Sequence, residues 1–339
     1  MRARLELFAR RWWAGDFGAA GRLLAALTLP LSWAWWGTSA IAARRQDVAD
    51  PDRVDGLTVI SVGNLAVGGT GKTPLVGWTA ATLLGVGVAP AILVGAHGRD
   101  EALLHRRRAL GVPVVVQRDR VAGARRALAD GATVAILDDG FQHRRLHRDL
   151  DVVLLAAEDA FPGRLLPRGP YRERPSALAR ADLVVVTRRT ASLETSRRLR
   201  ERVEALCSER VLAGMELAGA AWTDLDGAAA AGPEGDVIAA CGVGRADAFR
   251  STVARRVTGS VELVAFADHH EYTPADVRRL RTRAAGRPIV ITEKDAVKVC
   301  AYFGEMGESY VLTEEVRWDW GEDAFVARLR TVIAGGPQA

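Results

Sequence analysis

With 339 residues, 49% of them apolar and 26% charged, the chain is long enough for two folded domains and is not a disordered polymer. A net charge of +5 and an isoelectric point near 9.5 favour an anionic partner such as a nucleotide or phospholipid head group, and no zinc-finger, helix-turn-helix or RNP pattern points to nucleic acid. Cys207, Cys241 and Cys300 are odd in number, far apart and never in a CxxC pair, which argues against a disulfide framework or a cysteine metal site and fits a reducing cytosolic compartment.

Residues 1–45 differ from everything that follows. Trp12, Trp13, Trp33, Trp35 and Trp36 are five of the nine tryptophans, and no charge falls between Arg22 and Arg44-Arg45. About 20 apolar residues suffice to span a bilayer, but Pro30, Gly37 and several Ser, Thr and Ala residues weaken a spanning helix. No small-residue cleavage site marks a signal peptide, and spanning would carry Arg2, Arg4, Arg10, Arg11 and Arg22 across against the positive-inside tendency. The pattern favours a helix lying in the cytoplasmic interface, with Trp and Leu inserted and Arg on anionic head groups, over a spanning helix or a buried helical hairpin.

Leu57 to Val62 has the composition of a buried parallel strand and runs through Gly68-Gly69-Thr70-Gly71 into Lys72-Thr73, where a helix to Gly85 opens. This is a phosphate-binding loop. Glycine there permits positive φ angles and close approach of an anion to backbone N–H groups, Lys72 reaches a β/γ-phosphate, and the Thr73 hydroxyl suits Mg²⁺. The strict G-x-x-x-x-G-K-[ST] template is not met, since Ala66 stands at its first Gly. Of the 46 basic residues only those at 72, 294 and 298 are Lys, so the loop keeps a compact ammonium in a chain that otherwise uses Arg. The polar cluster holding Lys294 and Lys298 becomes a candidate on the same ground.

Ala89 to Val94 predicts a second strand. In GAHGRDEALLHRRR, Asp100 and Glu101 open a turn of helix and Arg closes it, as the helix dipole prefers in any plain helix. Val112 to Val116 predicts a short strand, and Asp119-Arg120 opens a helix ending near Gly131. Thr133 to Leu137 is a strand that runs into Asp138-Asp139-Gly140, two carboxylates able to serve Mg²⁺ beside Thr73 and phosphate oxygens, or alternatively an Asp-Gly turn. Strands follow at Asp151 to Ala156 and Leu183 to Thr187. Between them lies the Arg- and Pro-rich loop Phe161 to Pro175, and after them a charged helix over Ser192 to Ser208.

The Ala- and Gly-rich stretch 211–235 reads as a hinge. Beyond it come strands at Val237 to Cys241, Val261 to Phe266 and Pro288 to Thr292, with helices at Asp247 to Val257 and Pro274 to Ala285. The expected organisation is a membrane-interface segment (1–45), a P-loop domain (46–210), a hinge (211–235) and a C-terminal α/β domain (236–339). The alternation predicts an α/β fold, a P-loop NTPase-like parallel sheet with helices on both faces and ligands at the carboxyl ends of the strands. No internal repeat or low-complexity tail is present.

SVGNLAVGGTGKTP, DEALL before GVPVVVQRDR, DDGFQHRRLHRDL, LLPRGPYRE, ADHH and TEKDAVK, in this order, resemble the tetraacyldisaccharide 4′-kinase family of lipid A assembly. The resemblance implies an ATP- and Mg²⁺-dependent, inner-membrane-associated kinase that phosphorylates the 4′-hydroxyl of a glycolipid, the tetraacyldisaccharide 1-phosphate precursor of lipid A, to give lipid IVA. It implies that Lys72 and Thr73 hold phosphates and metal, that Asp138 and Asp139 serve the metal, that Asp100 is the general base and that His269 is its partner. Glu101, Arg120, Gln142 and Glu173 match motif positions. VGAHGR at 94–99 replaces the family's SRGYG-type segment and the variable stretch after it, so the pocket near residue 95 is expected to differ. Two other readings rest on the residues alone. One is a membrane-recruited deviant-Walker ATPase switch, although Val67 stands where such proteins carry a signature Lys, and the other is a nucleotide-binding homologue that has lost catalysis.

Overall fold

The computed structural model describes residues 8–336 apart from 10, 14, 48–50, 97, 109–110 and 208–209. Arg2, Arg4, Arg10 and Ser208 therefore lie outside the described residues, as do the side chains of Arg44, Arg45 and Cys300. The chain forms two compact units, one from Ala9–Glu216 with Trp318–Ala339 and the other centred on Leu217–Arg317.

Among its described residues the larger unit carries, after a helical turn at 11–13, the helices α1 (Gly18–Leu27) and α2 (Leu29–Asp47), where the sequence suggested one. Pro30 explains the break at Thr28, because proline has no N–H to continue the ladder and is tolerated only in the first turn of a new helix. The unit then alternates through β1 (Thr58–Asn64), α3 (Lys72–Gly85), β2 (Pro90–Val94), α4 (Arg99–Arg107), β3 (Val114–Val116), α5 (Arg120–Ala129), β4 (Val134–Asp138), β5 (Leu150–Ala156), β6 (Leu183–Arg188) and α6 (Leu193–Glu204). The strands lie in the order β6-β5-β1-β4-β2-β3, and each of these pairs is parallel.

All seven residues of β1 are buried, which is why its run is continuously apolar or small rather than alternating. Val59, Leu93, Ala135 and Leu137 pack against Val121, Ala124 and Ala127 of α5, and Val153, Leu155, Val184 and Val186 pack against Leu199 and Val203 of α6. The register Val62↔Asp138 puts the end of β4 beside the start of the phosphate loop.

Stretch 211–235, expected to be a hinge, contains instead the thirteen-residue strand β7 (Val211–Thr223), paired in parallel with β6, and the short β8 (Ala229–Ala230), antiparallel to β7. Its small residues serve close packing. A Cβ on Gly214 would stand 2.3 Å from the Trp320 ring, and one on Gly219 would stand 2.9 Å from Thr252.

The smaller unit runs through β9 (Val237–Cys241), α7 (Ala246–Ala254), β10 (Val261–Ala265), α8 (Pro274–Ala284), β11 (Ile289–Thr292), α9 (Glu293–Val299) and β12 (Ser309–Trp320). Its order is β10-β9-β11-β12, again parallel. Thr273 and Asp276 form a reciprocal capping box at the start of α8. The final helix α10 (Glu322–Ala334) groups with the larger unit, where Phe325 is fully buried and meets Trp78 and Trp318 at ring separations of 5.7 and 5.1 Å.

Candidate active site

The phosphate loop is built by the end of β1 and the start of α3. Gly71 caps α3 at φ +94° and Gly68 sits at φ +123°, conformations that would strain any L side chain. The loop is braced from outside. Thr187 Oγ1 donates to the Thr70 carbonyl at 2.9 Å, Arg189 Nη1 donates to the Gly69 carbonyl at 2.9 Å, and Asn64 Nδ2 donates to Thr70 Oγ1 at 2.8 Å. Because the peptide is planar and trans, pinning the Thr70 carbonyl fixes the Gly71 N–H on the opposite side. The first N–H groups of α3 likewise have no partner within their own helix.

Thr73 and Asp138 meet directly, with Thr73 Oγ1 donating to Asp138 Oδ2 at 3.0 Å. Asp138 is buried at the end of β4, and the next residue, Asp139, turns into the left-handed region at φ +63°. Backbone N–H groups of Asp139 and Gly140 both donate to the Val62 carbonyl, which holds this strained corner against β1. Lys72 Nζ lies 3.5 Å from Asp139 Oδ1, and Arg172 Nη1 lies 3.3 Å from Oδ2. Burial pushes the Asp139 carboxyl up, but the two cations outweigh it and hold the group at about 2.

Hard oxygen donors, one hydroxyl and one or two carboxylates beside a cationic phosphate loop, fit Mg²⁺, which keeps several waters and binds phosphate oxygens. Among the described residues no group of three or more His, Cys, Asp and Glu is placed to hold a metal by itself, so phosphate oxygens and water would complete its shell.

Asp100 is buried in the first turn of α4, with the half-buried Glu101 beside it. Arg120 opens α5, donates to the Gln117 carbonyl at 2.8 Å and crosses directly over Gly95, where a Cβ would stand 2.6 Å from its guanidinium. Burial pulls its guanidinium down while Asp139 and Asp138 act to raise it, so it belongs to the same electrostatic cluster. Gln142 Nε2 donates to Asn64 O at 2.9 Å and to Glu173 Oε1 at 3.1 Å. Glu173 in turn accepts from Arg180 at 2.9 Å and lies 3.6 Å from Arg144. Thus Lys72, Thr73, Asp138, Asp139 and Arg120 gather at one strand end, while Gln142 and Glu173 share the adjoining network.

His269 belongs to the smaller unit. It also turns through positive φ, +59°, with its N–H on the Gly242 carbonyl. Lys294 Nζ lies 3.2 Å from His269 Nε2, and Lys298 Nζ donates to the His270 carbonyl at 3.3 Å. The two lysines outside the phosphate loop therefore both meet this His-His turn. Asp295, whose carboxyl burial pushes upward, accepts from the Gly242 N–H and the Tyr272 hydroxyl, each at 2.9 Å.

The N-terminal helices rest on the Arg-Pro loop. Trp13 Nε1 donates to Pro167 O at 2.9 Å, Trp35 Nε1 donates to Arg172 O at 3.2 Å, and the Arg174 guanidinium lies 4.1 Å from the Trp36 ring centre. Two site residues went unread in the sequence. Arg172, on the loop, reaches Asp139. His105, in the last turn of α4, places Nε2 3.0 Å from Asp138 Oδ2. Nothing in the local pattern of Leu-Leu-His-Arg-Arg-Arg marks that histidine, because its partner comes from β4.

The sequence profile described as LpxK, tetraacyldisaccharide-1-P 4′-kinase, matches residues 24–101 and 94–334. The chain belongs to this family. It is 38% identical over 369 aligned positions to the tetraacyldisaccharide 4′-kinase of Anaeromyxobacter sp. (strain Fw109-5), covering 98% of each chain. It is 36% identical over 285 positions to that of Syntrophus aciditrophicus, covering 71% of this chain and 75% of the relative. The solved structure of LpxK from Aquifex aeolicus in complex with ATP matches with a TM-score of 0.70 at 25% identity, covering 91% of this chain and 99% of that one. The LpxK family match comes in two pieces that meet at 94–101, where VGAHGR leads into Asp100. The Fw109-5 alignment also needs more positions than this chain has residues, so the chain is gapped relative to that kinase.

Proposed function

We propose that this 4′-kinase transfers the γ-phosphoryl group of ATP to the 4′-hydroxyl of a tetraacyldisaccharide 1-phosphate at the cytoplasmic face of the inner membrane, with the residues above in the following roles. Phosphoryl transfer needs positioning and charge neutralisation more than covalent help. The amides of Gly68 to Gly71 cradle the phosphates, and Lys72 supplies a point charge at the β/γ position. Thr73 and Asp138, with Asp139, would hold Mg²⁺, which would neutralise the charge of the phosphates. Arg172 and Lys72 keep Asp139 ionised for that task.

Asp100 takes the proton of the sugar hydroxyl, and His269 is the residue that polarises it. Arg120 steadies the anionic cluster from above Gly95, and Glu101, Gln142 and Glu173 fix the surrounding loops or touch the substrate. The observation that carries the reading is the 3.0 Å contact between Thr73 and Asp138 at the N-terminus of α3.

The membrane role belongs to α1 and α2. Leu23, Leu27, Leu31 and Trp33 are each about 60% exposed or more, and Trp35, Trp36 and Ile41 add further exposed apolar side chains on the same two helices, as an interfacial helix would carry. Among the described residues no helix is long and apolar enough to cross a membrane, so the segment is read as lying in the interface.

Incubation of the purified protein with γ-labelled ATP and a tetraacyldisaccharide 1-phosphate in mixed micelles tests the function. Label in the glycolipid is expected. Acceptor-independent phosphate release would support the ATPase switch, and nucleotide binding without turnover would support a homologue that has lost catalysis.

A further inference from the structure

We infer that His105 is a positioning residue of the metal site, its Nε2–H holding the Asp138 carboxylate in the orientation at which Asp138 and Thr73 together receive Mg²⁺. The inference rests on the metal role proposed for Thr73 and Asp138 and adds a residue to it.

Asp138 Oδ2 is approached from two sides at the same distance, 3.0 Å from Thr73 Oγ1 and 3.0 Å from His105 Nε2. His105 is 2% exposed and Asp138 3%, so neither contact is exchanged for one with bulk water. A carboxylate held by two donors on one oxygen cannot swing without breaking both bonds in a low-dielectric setting. A ring nitrogen that faces a carboxylate is a donor, which places a proton on Nε2. The other ring nitrogen, Nδ1, is buried and has no hydrogen-bond partner among the described residues. That unmet atom is a cost that a leucine filling the same space would not incur, so packing alone does not account for a histidine here.

The contact also joins two elements. Asp100 and Glu101 stand in the first turn of α4 and His105 in its last, so the same bond that orients Asp138 ties the helix of the proposed base to the end of β4. Partners that hold a metal-ligating side chain in place are typically worth about 10- to 100-fold in metal affinity.

The test is the Mg²⁺ dependence of binding of a non-hydrolysable ATP analogue to the full chain, measured by titration calorimetry. It is repeated with Mn²⁺ by electron paramagnetic resonance, so that neither readout requires turnover. Glutamine carries its amide to about the place of Nε2, whereas asparagine carries it to that of Nδ1. In His105→Ala and His105→Asn the Mg²⁺ concentration for half-maximal binding should rise about 10-fold or more, with analogue affinity in EDTA unchanged within about twofold. His105→Gln should return it to within about threefold of the parent. Should the alanine variant fail to fold, the Gln and Asn pair, closely matched in size and polarity, decides the matter by itself. An alanine variant with the parent's Mg²⁺ dependence, or equal behaviour of Gln and Asn, overturns the inference. Asp138→Asn separates the two levels. If it leaves the Mg²⁺ dependence unchanged, the metal role of Asp138 falls and this inference with it. If it raises the requirement while the His105 variants do not, only the role of His105 is refuted.

Discussion

Replacing Lys72 by methionine keeps the length of the side chain and removes its charge, and the structure predicts a large loss of turnover with a small loss of stability. Lys72 Nζ and Asp139 Oδ1 are 3.5 Å apart, with the side chains 15% and 39% exposed. Two unit charges at that distance interact by about 1 kcal/mol in water and about 5 kcal/mol at an effective dielectric constant of 20. The exposure of Asp139 puts this pair near the lower figure.

The depressed carboxyl of Asp139 gives a second route to the number. A value of about 2 against the ordinary 3.8 converts to about 2.4 kcal/mol before screening. Screening by water at a side chain this exposed, and division between Lys72 and Arg172, leave about 1 kcal/mol for Lys72. Since the folded value lies below the unfolded one, this stabilisation is present above 3.8 and is lost as pH falls through about 2. Lys72→Met should therefore cost about 1 kcal/mol at pH 7 and nearly nothing below pH 2, while removal of a preorganised charge lowers kcat by about 10²- to 10³-fold. Urea unfolding at the two pH values, paired with labelled-ATP turnover on the glycolipid, checks both halves. A stability loss of about 3 kcal/mol or more would mark Lys72 as half of a buried structural pair, and retained turnover would remove it from the phosphate site.

Asp100→Asn keeps shape but accepts no proton, so kcat should fall by about 10²- to 10⁴-fold with ATP affinity unchanged in direct titration; an unimpaired variant would shift attention to Glu101. His269→Ala should do comparable harm, and the Asp100 and His269 double variant should be little worse than either single one, whereas multiplicative losses in steady-state kinetics would show that the two act independently. Trp33→Glu combined with Leu27→Glu should release the protein from anionic vesicles in co-sedimentation at unchanged melting temperature, while salt alone should weaken binding of the parent only partly; full release by salt would mean that no apolar face is inserted. Gly214→Ala should destabilise the fold by about 1–3 kcal/mol in urea titration, because the added methyl meets the Trp320 ring, and a neutral result would mean that the ring moves freely aside.

Elements whose partners are close in sequence or whose burial is complete could be read in advance. The run TVISVGN ending in glycines and Lys-Thr identifies a buried strand, its loop and the helix after it, because the three are consecutive and each residue type has a local reason. Asp138-Asp139 was legible for the same reason, as the exit of an apolar strand. β7 was not, since Gly214 and Gly219 answer to Trp320 and Thr252, which stand far away in sequence. Likewise the alternating polar run of β12 carries no apolar signature of a core strand. At the site, Lys72 and Thr73 announce themselves by motif. His105 and Arg172 act on Asp138 and Asp139 only through tertiary contact, and a residue's neighbours across the fold leave no mark on the residues beside it in the chain.

The larger unit is discontinuous, with α10 returning after the smaller unit to set Phe325 against Trp78 and Trp318, whose own rings meet at 5.0 Å. A ribosome makes the phosphate loop early and its last supporting helix more than two hundred residues later. During synthesis Trp78 waits on α3 with its aromatic partners still unmade, so the nucleotide-binding half cannot complete its packing until Trp318 and Phe325 have been added. Until then, the burden of holding the nascent unit soluble falls on whatever covers α3.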